Sequence, residues 1–233
     1  ELFAVEALVR WHSKALNRTV SPAEFIPIAE SNGLMVSLGE NIIRQVFSQV
    51  AQWNEQGLTI AKVSINISPQ QLLAHSFYDN LMCWINDVKV SPKQIELEIT
   101  ESIIMDDVEA AIKIMETIKS RGIHLAIDDF GTGYSSLAYL KRFPIDVLKV
   151  DRSFVMDIPN DKTDMAITAA VIAMAHKLSM RVVAEGIETQ EQLDFLRENN
   201  CDDGQGYLLS RPLTLPQLHH FLVDHHKNQE SLS

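Results

Sequence analysis

Seven polar side chains that could bind metal ions or move a proton stand late in short apolar runs, or directly after them. They are Glu6, Asn66, Glu98, Asp128, Asp129, Lys149 and Glu185. If the five carboxylates among them lie together, each raises the pKa of its neighbours, so they cannot all stay ionised without compensation. Divalent cations compensate such charge, and oxygen ligands without Cys or His favour Mg²⁺ or Mn²⁺. The adjacent Asp128 and Asp129 indicate two cations that share a ligand, which suits in-line displacement at phosphorus.

Each of these residues also has an ordinary structural explanation. An aspartate at the end of a strand usually caps a helix or lies in a loop. Glu96 and Glu98 could form a solvated edge, and Lys149 could be a surface lysine. The ordinary explanation can account for any one of these residues. It is much weaker for all seven together, because they follow successive apolar runs, and a functional site is therefore favoured.

The apolar runs predict the strands that carry these side chains. They cover residues 4–11, 62–67, 95–99, 123–129, 147–150 and 181–184, with a weak run at 206–208. Between them, amphipathic patterns predict six helices. One begins at Ser21-Pro22, and the others cover 38–56, 108–120, 163–178, 190–199 and 215–224. Alternating strands and helices at this spacing predict an α/β fold with a parallel sheet.

Each predicted strand has one apolar face and one face that mixes small and polar residues. Glu6, Leu8 and Arg10 share such a face in the first run, and Lys149 and Asp151 share one in the fifth. The pattern predicts a TIM-like (β/α) barrel, in which the outer helices cover the apolar faces. The carboxyl ends of barrel strands meet at one mouth, where active sites lie. The polar residues are therefore expected to converge there.

The composition limits the class of protein. The chain has 233 residues, 46% of them hydrophobic, and without a linker-like stretch residues 1–233 are expected to form one domain. Thirty-one acidic and 20 basic residues give a net charge of −11, which disfavours binding of long nucleic acid. No apolar run reaches the roughly 18 residues of a membrane span, so no membrane contact is expected. Two cysteines without CxxC spacing indicate reduced thiols in a cytoplasmic domain.

Seven motifs resemble those of one bacterial enzyme family. They are EALVRW, NISPQQL, ELEITES, DDFGTGYSSL, KVDRSF, VAEGIET and GQGYLLSRP. In this order they are similar to the EAL-domain phosphodiesterases of cyclic di-GMP signalling, over residues 4 to about 225. EAL alone would carry no weight, whereas the seven together are highly specific. The resemblance implies hydrolysis of cyclic di-GMP to linear pGpG with two Mg²⁺ or Mn²⁺ ions.

The resemblance implies a ligand set for each cation. Glu6, Asn66, Glu98 and Asp128 resemble the ligands of one metal ion. Asp128, Asp129 and Glu185 resemble those of the second. Glu6 is therefore expected to be needed for both metal binding and catalysis.

Further catalytic roles also follow from the resemblance. Lys149 resembles the residue that holds and helps to activate the attacking water. Gln205 resembles a glutamine that supports the water network, and Glu101 resembles the glutamate that anchors the loop after Asp129. In the family that loop, residues 130–136 here, is linked to metal binding and dimerisation.

The substrate-binding residues are expected to be Arg10, Leu8, Asp151 and Glu188. Arg10 resembles an arginine that clamps a substrate phosphate, and Glu188 resembles an acid of the family's EGIET segment. Leu8 and Asp151 join this set, each on a strand face shared with a candidate site residue.

Two departures from the family pattern stand at the amino-terminal end. Ala4 replaces a usual glycine, and the family's first strand, with its tyrosine-glutamine-proline substrate contact, is expected before Glu1. The chain is accordingly expected to be a fragment that lacks that strand, from a longer protein with upstream sensory or GGDEF-type domains. A homodimer is expected, and a membrane anchor elsewhere in the full-length protein stays open.

Two other functions compete with the phosphodiesterase. Some EAL-like domains have lost ligands and act as cyclic di-GMP receptors, but here every metal ligand and the lysine are present. A different barrel enzyme with Lys149 as a base and one metal ion would leave Asn66 and Asp129 unexplained.

Overall fold

The computed structural model describes residues 2–58, 60–100, 108–131 and 140–230, with the side chains of 225–230 left aside. The chain divides into two compact units, Glu1–His124 and Leu125–Ser233. Each unit contains parallel strands joined through helices, as the alternating sequence pattern predicts.

The first unit has three parallel strands in the order β1-β4-β5 and a separate pair of antiparallel strands. Its elements are β1 Ala4–Ala7, β2 Trp11–Ser13, β3 Arg18–Val20, α1 Pro22–Ser31, α2 Met35–Glu55, β4 Lys62–Ile67, α3 Pro69–Leu72, α4 Phe77–Val88, a 3₁₀ turn Pro92–Gln94, β5 Ile95–Thr100 and α5 Val108–Lys119.

Helix α2 shows why the local sequence forms these elements. Its buried residues include Ile43, Phe47, Val50 and Trp53, which recur every three or four positions and so form one apolar face. Strand β4 buries Val63, Ile65 and Ile67 on alternate positions. The polar residues between these apolar positions are the ones that can form a site.

The first predicted strand is wrong in its length. Strand β1 ends at Ala7, whereas Trp11–Ser13 forms β2 and pairs with β3 in an antiparallel hairpin. Trp11 packs its ring edge-on to Phe25 of α1, with 5.7 Å between ring centroids. This aromatic contact fixes the hairpin to α1. The apolar run 4–11 therefore combines two short strands.

The second unit has four parallel strands in the order β6-β7-β8-β9. Its elements are β6 His124–Phe130, whose first residue belongs to the first unit, β7 Val147–Val150, α6 Arg152–Val155, α7 Lys162–Lys177, β8 Arg181–Ala184, α8 Gln190–Glu198, β9 Asp203–Gly204 and α9 Leu215–Glu230. Strand β7 is buried along its whole length.

Asp146 joins the beginnings of three strands in this unit. Its carboxylate accepts a hydrogen bond from the Leu125 backbone N–H at 3.1 Å. Its own N–H donates to the Leu125 carbonyl at 2.9 Å, and its carbonyl accepts from the Arg181 N–H at 2.9 Å. These bonds align β6, β7 and β8 at this end of the sheet.

The predicted strands at 62–67, 147–150 and 181–184 are confirmed to the residue, and the helices to within a few residues except at the end of α9. The weak strand predicted at 206–208 is wrong, because β9 is Asp203–Gly204. Helix α4 was not predicted, although Phe77, Leu81, Trp84 and Ile85 have helical spacing. In the part of the chain that is described, no helix is both long and apolar enough to span a bilayer.

Candidate active site

In the first unit, the candidate ligands lie late in strands β1, β4 and β5. The Asn66 side-chain amide donates a hydrogen bond to Glu6 Oε1 at 2.8 Å. In the parallel register, Glu6 lies beside Ser64 and Asn66 lies beside Glu98. Glu98 is buried, whereas Asn66 is exposed. The structure therefore brings Glu6 and Asn66 into contact and places Glu98 next to them on the neighbouring strand.

A second polar pair lies two residues earlier on the same strands. Ser64 Oγ donates to Glu96 Oε1 at 2.8 Å, and both residues are buried. In the sequence, Ser64 shares a strand face with Asn66, and Glu96 shares one with Glu98. No other feature of the sequence distinguishes Ser64 and Glu96. The structure makes them a buried cross-strand contact rather than a solvated edge.

Leu8 and Arg10 lie in the segment between β1 and β2, and both are exposed. Because β1 ends at Ala7, the prediction that they share a strand face with Glu6 is wrong. Arg10 Nη1 donates to the Val9 carbonyl at 2.8 Å. Their roles in substrate binding stay predictions.

In the second unit, strand β6 carries a bulge at Asp128 and Asp129. Ile127 is paired with Leu148 but Phe130 with Val150, so β6 has one extra residue. Asp129 has a left-handed backbone, with φ of 54°, a conformation that aspartate tolerates better than most residues. In a regular strand two adjacent side chains point to opposite faces. The bulge releases this restriction, so both acids can face the same site.

Lys149 lies opposite this bulge on β7 and forms the centre of the second unit's charged cluster. Its Nζ lies 3.2 Å from Asp128 Oδ1 and 2.6 Å from Glu185 Oε1, and its side chain is 3% exposed. Glu185 directly follows β8, where its N–H donates to the Val150 carbonyl at 3.1 Å. A buried ammonium that contacts two carboxylates is held in a fixed position.

The charges around Asp129 are crowded. Partial desolvation raises the pKa of Asp129, and the charges of Asp128 and then Asp151 raise it further, against the lowering effect of Lys149. The Asp129 N–H donates to Asp128 Oδ1 at 3.0 Å. Negative charge in this cluster is thus only partly balanced by the lysine, which is the situation that a cation would relieve.

Asp151 and Glu188 have structural contacts of their own. Asp151 caps α6, because its carboxylate accepts from the Ser153 N–H at 2.9 Å. Glu188 Oε1 lies 2.9 Å from Arg152 Nη2 in a largely exposed ion pair. Neither contact tests the predicted roles in substrate binding.

The backbone around Gln205 is held between β8 and the segment after it. Its N–H donates to the Ala184 carbonyl at 2.8 Å, and its carbonyl accepts from Ile187 N–H at 3.1 Å. Gly206 follows, and a Cβ there would lie 2.1 Å from the Ile187 carbonyl oxygen, so only glycine fits. This close approach fixes Gln205, the predicted support of the water network. Glu101 and most of the loop 130–136 lie outside the described residues.

The donors agree in type with a hard divalent cation. All of them are carboxylate or amide oxygens, the ligands of Mg²⁺ and Mn²⁺. Within the described ranges, no group of three or more His, Cys, Asp and Glu side chains is arranged to hold a metal ion.

Gln192 is the clearest site-supporting residue that was not predicted. Its Oε1 accepts from the backbone N–H groups of Glu188 at 2.7 Å and Thr189 at 3.0 Å, in a capping box at the start of α8. Threonine followed by glutamine three residues later is a known signature of such a box. The sequence signal was therefore present.

The chain has parallel strands, and oxygen donors and a buried lysine lie near the carboxyl ends of these strands. It therefore belongs among the α/β proteins that carry a polar site at their strand ends. Comparison with known proteins gives the family. Residues 1–212 match the EAL domain family, and the chain belongs to it. The predicted fold class, an α/β fold of the TIM-like (β/α) barrel type, is confirmed by this match and by solved structures.

Two curated relatives illustrate the similarity. The chain is 44% identical over 222 residues to the cyclic di-GMP phosphodiesterase NbdA of Pseudomonas aeruginosa, which covers 95% of this chain and 28% of NbdA. It is 37% identical over 213 residues to the cyclic di-GMP phosphodiesterase PdeR of Escherichia coli K12, covering 91% of this chain and 32% of PdeR. The chain thus spans about a third or less of these relatives.

A solved structure agrees with both units. The complex of the PaMucR phosphodiesterase with c-di-GMP is 38% identical, with a TM-score of 0.88, and the match covers 93% of this chain and 87% of that one. The resemblance on which the sequence prediction rests is therefore confirmed.

Proposed function

We propose that this domain is a metal-dependent phosphodiesterase that hydrolyses cyclic di-GMP to linear pGpG. The observation that carries the proposal is the buried Lys149, which lies between Asp128 and Glu185 opposite the bulge at Asp129. Family membership supports it, as do two relatives named cyclic di-GMP phosphodiesterases and a phosphodiesterase solved with c-di-GMP.

Two divalent cations, Mg²⁺ or Mn²⁺, are part of the proposal. The residues that would hold them are Glu6, Asn66 and Glu98 of the first unit and Asp128, Asp129 and Glu185 of the second. When bound, the cations supply positive charge to the phosphoryl oxygens and make water easier to deprotonate near neutral pH. The crowded carboxylates around Asp129 support a cationic partner on this side.

The chain's own residues then orient the reactants. Lys149 holds the attacking water, because its ammonium is a fixed donor with little freedom to move. Gln205 supports that water, and its backbone is fixed at both N–H and carbonyl. Arg10, Leu8, Asp151 and Glu188 bind the substrate, and Glu101 anchors the loop after Asp129.

Assembly and context are proposed on the family resemblance. They are a homodimer through the region of residues 129–136, a cytoplasmic location, and sensory or GGDEF-type domains in the same polypeptide. Relatives that are about three times as long as this chain agree with the last of these. Light scattering at several concentrations tests the dimer.

The deciding experiment is incubation of the protein with cyclic di-GMP and Mn²⁺, with the product identified by chromatography and mass spectrometry. The expected product is pGpG, and excess EDTA should stop its formation. Binding of cyclic di-GMP without turnover in Mn²⁺ or Mg²⁺ would favour the receptor function instead. Full activity in excess EDTA would contradict the metal-dependent mechanism.

A further inference from the structure

A buried polar pair underlies the candidate ligands of the first unit. Ser64 and Glu96 are 5% and 7% exposed, and the serine hydroxyl donates to Glu96 Oε1 at 2.8 Å. In the parallel register they lie side by side, and Asn66 and Glu98 form the next inward pair along β4 and β5. Two residues along a strand correspond to about 6.6 Å. Ser64 and Glu96 are therefore beneath the ligand pair and too far along the strands to share its cation.

Stability alone does not account for this pair. Removing a carboxyl group and a hydroxyl group from water costs free energy, and hydrogen bonds inside the protein return only part of it. Two apolar side chains of similar size at such cross-strand positions often leave a protein equally or more stable. The neighbours Val63, Ile65, Ile95 and Leu97, which point to the opposite face, are all apolar and buried. The polar pair is thus a feature of the face that carries the ligands.

We propose that Ser64 and Glu96 are a positioning pair for the cation ligands Asn66 and Glu98, an inference that rests on the proposed function. Their hydrogen bond joins β4 to β5 one step beneath the ligands. It holds these two side chains in place directly beneath those of Asn66 and Glu98. Groups that orient metal ligands without touching the metal commonly change metal affinity about 10–100-fold when they are removed.

The test uses three serine variants of the whole chain and two measurements. Ser64→Ala removes the hydroxyl at almost unchanged volume, and Ser64→Thr restores it. Ser13→Ala is the matched control, because Ser13 is also a buried serine of the first unit and accepts from the Leu16 N–H at 3.2 Å, in the β2–β3 hairpin. Calorimetry gives the Mn²⁺ dissociation constant, and thermal unfolding without metal gives the melting temperature.

We expect Ser64→Ala to weaken Mn²⁺ binding about tenfold, the lower end of the range for groups that orient metal ligands. Ser64→Thr should stay within about twofold of the unsubstituted protein. Ser13→Ala should leave Mn²⁺ affinity unchanged, even if its melting temperature falls as far as that of Ser64→Ala.

Unchanged Mn²⁺ affinity in Ser64→Ala would overturn the inference, and so would Ser64→Thr binding as weakly as Ser64→Ala. Either result would leave the proposed function intact, provided that the unsubstituted protein still binds Mn²⁺ and cleaves cyclic di-GMP. If the unsubstituted protein did neither, the proposed function would fail and this inference with it.

Discussion

The two units hold their candidate ligands by different means. In the first unit, neutral groups donate to two acids, the Asn66 amide to the proposed ligand Glu6 and the Ser64 hydroxyl to Glu96, which lies beneath the proposed ligand Glu98. In the second unit the partner is the buried ammonium of Lys149, shared by Asp128 and Glu185. A neutral donor leaves a carboxylate its full charge, whereas an ammonium offsets part of it. We therefore expect the first unit to govern metal affinity and the second to govern the rate of the chemical step.

Lys149→Ala should give the largest effect and should appear in kcat. The substitution removes the ammonium that holds the attacking water but leaves every proposed metal ligand in place. We expect kcat to fall about 10²–10⁴-fold, the usual range for a lost proton-transfer group, with Mn²⁺ and substrate affinity largely retained. Steady-state kinetics and calorimetry measure the two quantities.

Arg181→Ala is the matched control for the lysine. Arg181 also pairs with an aspartate in the second unit, with Nη2 2.6 Å from Asp203 Oδ2, but it lies at the opposite end of β8 from Glu185 and is largely exposed. Its kcat should stay within about twofold, since exposed ion pairs contribute little. Near-normal kcat in Lys149→Ala would show that the lysine does not hold the attacking water.

The two cysteines test how well the half-buried thiol of the second unit is protected. Burial raises the pKa of Cys201 to about 12, whereas Cys83 in the first unit is exposed. At pH 8 a thiol with that pKa is ionised to roughly one part in ten thousand, and only the thiolate reacts. We expect maleimide to label Cys83 at least about 100-fold faster than Cys201 in the native protein.

Cys83→Ser isolates the second cysteine for this measurement. Labelling of Cys201 should then be slow in buffer and fast in concentrated urea, because unfolding restores the thiol to water. Fast labelling in buffer would contradict the raised pKa and the protection that we assign to the Cys201 thiol.

Much of this difference between the units follows from the sequence, but the decisive geometry does not. Strands β4, β7 and β8 have the predicted bounds because buried apolar residues recur through each of them, at every second position in β4. The bulge at Asp128 and Asp129 could not be predicted, since it depends on how β6 pairs with β7. The β2–β3 hairpin was also missed, because Trp11 continues the apolar run of β1 and its contact with Phe25 is tertiary.

Glu6→Ala should weaken Mn²⁺ binding more than Lys149→Ala does. It removes a proposed cation ligand and leaves the Asn66 amide without its acceptor. We expect Mn²⁺ affinity to fall at least about tenfold and the rate to fall with it. Glu24→Ala is the control, because Glu24 is an exposed first-unit glutamate paired with Arg18. Equal Mn²⁺ affinity in Glu6→Ala and Glu24→Ala would remove Glu6 from the ligand set.

The smallest predicted effect compares one buried capping glutamine in each unit. Gln71 caps α3, five residues after Asn66, and its Oε1 accepts from the Ser68 N–H at 3.2 Å. Its Nε2 has no hydrogen-bond partner among the described residues. Gln192 caps α8 with two bonds to Oε1, and its Nε2 donates to the Met156 carbonyl at 3.2 Å.

Gln192→Ala should therefore destabilise the protein more than Gln71→Ala. Both substitutions remove the same atoms from a buried position, so the lost packing and regained side-chain entropy are similar and largely cancel in the comparison. The remaining difference is two hydrogen bonds, each contributing about 1 kcal/mol, and Gln71→Ala also removes a buried amide that is unpaired. We expect the free energy of unfolding without metal, measured by urea titration, to fall at least about 2 kcal/mol further in Gln192→Ala. An equal loss in the free energy of unfolding for the two variants would mean that a bound water pairs with Gln71 Nε2 and that the two glutamines stabilise their helix starts equally.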